Sequence, residues 1–182
     1  MIWRDDRTRF SIAFAVIAGC LLGAYYFPRA TDSTLEIWTA DYLRLYTRAV
    51  ALPIALFEPH LSAHGNLISG RFSMQIVKSC DAMEANILFL SAVLAFPARW
   101  ARKAVALIAG LVALAAFNCV RLFVLYWVGV FAFPAFEFLH YDLWPLLMIA
   151  FAALDFLVAV RWARGDVPAP PTAGGAGAHV AG

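Results

Sequence analysis

Charge is what this chain has least of. Asp, Glu, Lys and Arg make up 14% of its 182 residues, against roughly a quarter in a soluble domain. Hydrophobic residues reach 63%, where about half is usual. A water-soluble fold would have to expose most of that surplus, so a soluble domain is excluded. The formal net charge of +2 is too small to argue for a nucleic-acid partner. Cysteine is scarce as well. Cys20, Cys80 and Cys119 cannot all pair within one chain. No three or four Cys, His or carboxylate residues stand at a zinc-like spacing. Neither a metal nor a cofactor is expected, and no internal repeat is evident.

Long apolar runs fill the chain instead. They predict membrane spans at about 10–27, 82–98, 104–131 and 143–160. The first run follows basic residues, as a signal peptide would. It ends in Tyr25-Tyr26-Phe27-Pro28, an interfacial aromatic belt and not a small-residue cleavage site, so it reads as a retained helix. The third run stays apolar to about Pro134. That exceeds one straight crossing, so the helix should tilt, break or project from the bilayer. Residues 165–182 are rich in Pro, Gly and Ala and read as a disordered cytoplasmic tail. His179 in that tail is assigned no role. The expected fold is an all-α membrane bundle of about four helices within residues 1–164, with an outer amphipathic helix and a small β-hairpin.

Lys and Arg set the orientation. Arg4, Arg7 and Arg9 precede the first span, Arg99, Arg102 and Lys103 join the second to the third, and Arg161 and Arg164 follow the fourth. Four crossings put all three groups on one side, which is then cytoplasmic, with both termini. The opposite side receives residues 28–80 and a short link around 133–142. Within 28–80, Leu35, Trp38, Tyr42, Leu45, Ala49 and Leu52 repeat at steps of three and four. They predict an amphipathic helix on the membrane surface. The stretch 49–57 is too short to span, and Pro53 interrupts it. Ser69-Gly70 can turn, and Phe72, Met74 and Ile76 alternate, which predicts a hairpin ending at Lys78.

Polar residues within spans are expensive and need a reason. Arg121 falls near the outer end of the third span, with Asn118 three residues earlier on the same helix face. His140 lies between the third and fourth spans, and Cys80 opens the second. A helix N-terminus favours a thiolate, and Glu84 follows one turn later. Taken singly, Arg121 reads as snorkelling to headgroups, His140 as a polar anchor, and Asp81 and Glu84 as helix-end charges. Together, the topology brings Cys80, Arg121 and His140 from three distant segments to one membrane face. A nucleophile, a cation and an acid or base are what acyl transfer needs. A non-catalytic membrane scaffold, a small anion carrier and a structural Cys80–Cys119 disulfide remain open on the residues alone.

Three stretches carry a resemblance: Ser79-Cys80-Asp81-Ala82-Met83-Glu84-Ala85, Asn118-Cys119-Val120-Arg121, and Phe136 to Trp144 with His140 at its centre. Over about residues 10–163 the chain resembles the exosortase/archaeosortase family of membrane cysteine transpeptidases. Cys-x-x-x-Glu-Ala and His-x-x-x-Trp are most similar to its exosortase H subtype. Many members carry Ser-Gly or Asn-Gly after the cysteine, where this chain has Asp81-Ala82. The length matches the core spans, so functions of additional domains in larger relatives are not implied.

The resemblance implies a thiol protease or transpeptidase of the bacterial inner membrane, with its site on the periplasmic side. Cys80 would be the nucleophile, Arg121 the oxyanion or thiolate stabiliser and His140 the general acid and base. Asn118 and Glu84 would support them. The implied partners are membrane lipid and secreted proteins bearing a C-terminal sorting signal: a short motif, of Ile-Pro-Thr-Leu type for this subtype, one membrane helix and a basic end.

Overall fold

The computed structural model describes residues 2–27 and 34–164. The 165–182 tail, His179 and Pro28 lie outside them. The described chain is mostly helical: α1 (Ile2–Tyr26), α2 (Thr34–Ala55), α3 (Met83–Ala95), α4 (Trp100–Phe131), α5 (Phe133–Phe138) and α6 (Trp144–Arg164). Three strands, β1 (Ser62–His64), β2 (Leu67–Ser69) and β3 (Ser73–Gln75), stand between α2 and α3.

Three helical segments are long and apolar enough to cross a membrane: Arg7–Tyr26, Trp100–Phe131 and Phe133–Arg164. Their surfaces are largely apolar, and Ile12, Ile108, Val112, Leu146 and Ile149 point outward. That is the pattern of helices solvated by lipid. The second expected span is shorter than its apolar run. The helix covers only Met83–Ala95, about 20 Å, because Phe96 turns to extended backbone ahead of Pro97. The third is a single helix of 32 residues, about 48 Å long. It does not break.

The link expected around 133–142 is helical. Chain direction changes at Ala132 (φ −143°, ψ 50°), and Pro134 starts the next helix, where its missing N–H costs nothing. After α5, residues Leu139–Leu143 form a π-helical turn that continues into α6. His140 therefore sits on a widened helical turn and not in a loop. Such turns recur at functional sites.

The expected amphipathic helix is present as α2, and most of its predicted stripe faces outward, with Tyr42 packed against the core. Trp38, Leu45 and Leu52 are exposed, whereas Leu43, Tyr46, Thr47, Val50, Ala51 and Ile54 are buried. These pack with Leu122, Leu125 and Tyr126 of α4. Pro53 lies inside the helix, which ends at Ala55. The expected hairpin is β2–β3, with Ile68 opposite Met74. A third strand, β1, pairs with β2 across a two-residue loop, His64 opposite Leu67. Gly65 takes φ +62° there, the place where such a loop wants glycine.

Two clusters hold the fold. One joins α2, the sheet, Cys80, the C-terminal half of α4 and Trp144. The other joins α3, α4 and α6 through Phe89, Leu114 and Met148. Gly110 permits the second, since a Cβ there would come within 2.1 Å of Phe89. Small residues let membrane helices approach this way.

The three basic groups gather at one end. Arg102 donates to the Ala163 carbonyl at 3.4 Å, Lys103 Nζ to the Leu94 carbonyl at 2.8 Å, and Arg164 lies 5.2 Å from the Phe96 ring centre. Arg7 shares a cavity with Arg161 and Arg164. Tyr25 and Tyr26 reach Asp81 and Glu84 at the opposite end.

Candidate active site

Cys80 closes a single 3₁₀ turn, Lys78–Cys80, its N–H bonded to the Val77 carbonyl at 2.7 Å. The segment after it is held from four helices. Asn118 Nδ2 of α4 donates to the Cys80 carbonyl at 3.0 Å. Tyr42 of α2 donates to the Asp81 carbonyl at 3.4 Å. Tyr25 of α1 donates to the Asp81 carboxylate, whose Oδ1 accepts the N–H of Met83 at 2.9 Å, at the start of α3. The Cys80 backbone is thus fixed before any ligand arrives, as a reacting group requires.

The Cys80 Sγ lies 3.9 Å from His140 Nε2, at the outer limit for a sulfur hydrogen bond. Catalytic pairs are often loose until substrate tightens them. The imidazole stacks on Phe136, 5.5 Å between centres at 9°, and meets Tyr141 edge-on at 4.7 Å. Phe136 in turn packs on Phe72 of the turn between β2 and β3. Ring packing therefore orients His140, and among the described residues no carboxylate meets its Nδ1.

Arg121 is only 5% exposed. Its charge acts on Cys80, Asp81 and His140, so it does not snorkel to headgroups. Its Nε, His140 Nδ1, Trp144 Nε1 and Asn118 Oδ1 are buried without a hydrogen-bond partner among the described residues. Each such atom costs about 1–3 kcal/mol. Four of them on Asn118, Arg121, His140 and Trp144 give a reacting group unmet donors and acceptors to engage.

Glu84 is not among them. It is exposed on the first turn of α3 and accepts the hydroxyl of Tyr26. Cys119 packs against the cluster that contains Cys80, but the two do not pair: both are free thiols. Among the described residues no three His, Cys, Asp or Glu converge as a metal site needs.

Sequence reasoning missed the tyrosines that hold the Cys80 turn, because Tyr25 and Tyr42 stand 56 and 39 residues from Asp81. It also missed Glu58. That buried carboxylate accepts from Tyr126 at 2.5 Å and from the Arg71 N–H, tying the sheet to α4. Gly70 makes room for it, since a Cβ there would meet Glu58 and Tyr126 at 2.5 Å.

Two stability predictions arise here. Ala82 is held at φ 56°, ψ 19°, a left-handed conformation that costs an L-residue about 1–2 kcal/mol. Ala82→Gly removes that cost and adds part of it back as chain entropy. A net gain of roughly 0.5–1 kcal/mol is expected, read as a higher melting temperature in detergent; a lower one would refute the strained turn. Second, burial pushes the Asp81 carboxyl above its ordinary range, while the Tyr25 and Met83 hydrogen bonds pull it down. A folded pKa above the unfolded one means the folded state binds more protons between the two. Stability then falls as pH rises from the unfolded value of 3.8 through the folded pKa, and is level above it. Asp81→Asn should flatten that slope in thermal melts across the acid range. An unchanged slope would assign it to another group.

Comparison with family models, curated proteins and solved structures finds no match to this chain.

Proposed function

We propose that this chain is a membrane-embedded cysteine transpeptidase or protease of the exosortase/archaeosortase type, acting on secreted proteins with a C-terminal sorting signal. The observation that carries the reading is the convergence of Cys80, His140 and buried Arg121, from three distant segments, at one end of an apolar bundle. The left-handed backbone at Ala82 also suits the glycine that stands there in many members of that family.

The topology consistent with the basic groups has four crossings, α3 being the short one. Both termini and the arginine end are cytoplasmic, and Cys80 faces the periplasm of a bacterial inner membrane. A substrate helix anchored in the same bilayer would present its motif at the depth of Cys80.

The Cys80 thiolate attacks the scissile carbonyl and an S–C bond forms. Negative charge collects on the carbonyl oxygen beside Arg121. The C–N bond then breaks, and His140 gives its proton to the departing amine. An amine, a lipid headgroup or water next attacks the thioester, passes its proton to His140 and returns the Cys80 thiolate. Asn118 fixes the Cys80 backbone and Phe136 the imidazole plane.

The test is co-expression with a reporter that ends in an Ile-Pro-Thr-Leu-type motif, a membrane helix and a basic tail. Wild-type protein should release the reporter from its helix, and a scrambled motif should block release. Intact reporters across a panel of such motifs would reject the substrate class.

A further inference from the structure

At the end of the bundle opposite Cys80, a cavity of about 780 Å³ opens between α1, the end of α3 and the last turns of α6. Phe10, Phe96 and Phe156 wall it, and Arg7, Arg161 and Arg164 line it. Among the described residues no Asp or Glu lines it. A second cavity, of about 330 Å³, continues along α3 to Ala82 and Glu84. Its lining includes Ala85, Ala92 and Ala152, and Phe156 borders both cavities. The two cavities lie in series as a groove along α3, from the arginines towards the Cys80 end, and meet at Phe156, whose ring stacks on Phe10 at 6.4 Å. The 13 residues of α3 make it about 20 Å long. One leaflet of hydrocarbon is about 15 Å deep.

We infer that this groove holds an anionic glycerophospholipid, its phosphate on Arg7, Arg161 and Arg164 and one acyl chain over Phe156 towards Ala82. Three cations beside an apolar slot at a membrane edge are the chemistry such headgroups select. Charge decides between this occupant and a membrane helix. A helix with a basic end, such as the substrate proposed above, would set its own cations against the three arginines. The site does not depend on that proposed activity.

Native mass spectrometry of the full chain, offered equal phosphatidylglycerol and phosphatidylcholine, tests it. Each arginine near an anionic lipid contributes about a fivefold factor, so wild type should favour phosphatidylglycerol by at least about tenfold. Arg7→Gln, Arg161→Gln and Arg164→Gln together should abolish the preference. Ala152→Trp keeps the arginines but fills the acyl path, and should lower retention of both lipids. Equal retention of the two lipids by wild type would overturn the inference whatever the variants do. So would a copurifying membrane helix that excludes lipid. Inorganic phosphate in excess should leave the lipid bound; displacement by it would mean a phosphate site without an acyl slot.

Discussion

Cys80→Ser is expected to reduce reporter release to background, a loss of at least about 10⁴-fold, in line with removal of a nucleophile elsewhere. The substitution is nearly isosteric. Cys80 is 5% exposed, and its backbone is held by Asn118 and Val77, so the variant should insert and melt like wild type. A serine hydroxyl 3.9 Å from His140 lacks the intrinsic nucleophilicity of a thiolate. Release at even a tenth of the wild-type rate would remove Cys80 from the chemistry and leave the scaffold reading standing. Bulky thiol reagents are a poor substitute for this experiment, because the burial of Cys80 limits their access.

Arg121→Lys should cost about 10²–10³-fold in release, the loss that follows removal of one oxyanion donor. Lysine keeps the charge but not the planar fork of donors. Arg121 Nε is a buried donor with no partner among the described residues, and its charge already acts on Cys80 and His140. An ammonium on a flexible stem cannot reproduce that direction. Activity within threefold of wild type would mean that only the positive potential matters, a reading closer to anion binding than to acyl transfer.

The residues of the candidate site were more legible in the sequence than the elements around them. Cys80, Asn118, Arg121 and His140 stood out because polar residues beside apolar runs are costly, and the expected alternation of crossings predicted that they share one end. Glu84 stood out by the same rule, yet it holds Tyr26. Its distance from the triad depends on helix rotation, which spacing alone did not fix. The stripe on α2 marked an outward side and left the packed side unread. Trp38, Leu45 and Leu52 are its most apolar line but face outward, while the packed face includes Thr47, which bonds to the Leu43 carbonyl at 2.8 Å. In lipid the most apolar face need not be the core. β1 left no alternation to read, since all three of its residues are exposed; only Gly65-Asn66 marked its turn. The π turn at His140 hid behind Pro134, which looked like the end of a helix and is the start of one.

The measurement closest to the central claim is a peptide map of wild-type protein quenched with acid during reporter release. The Cys80-containing peptide should carry the acyl portion of the reporter as a hydroxylamine-labile thioester, absent from the peptides of Cys20 and Cys119. Release of the reporter with no adduct on Cys80, or with the adduct on another cysteine, would contradict the account.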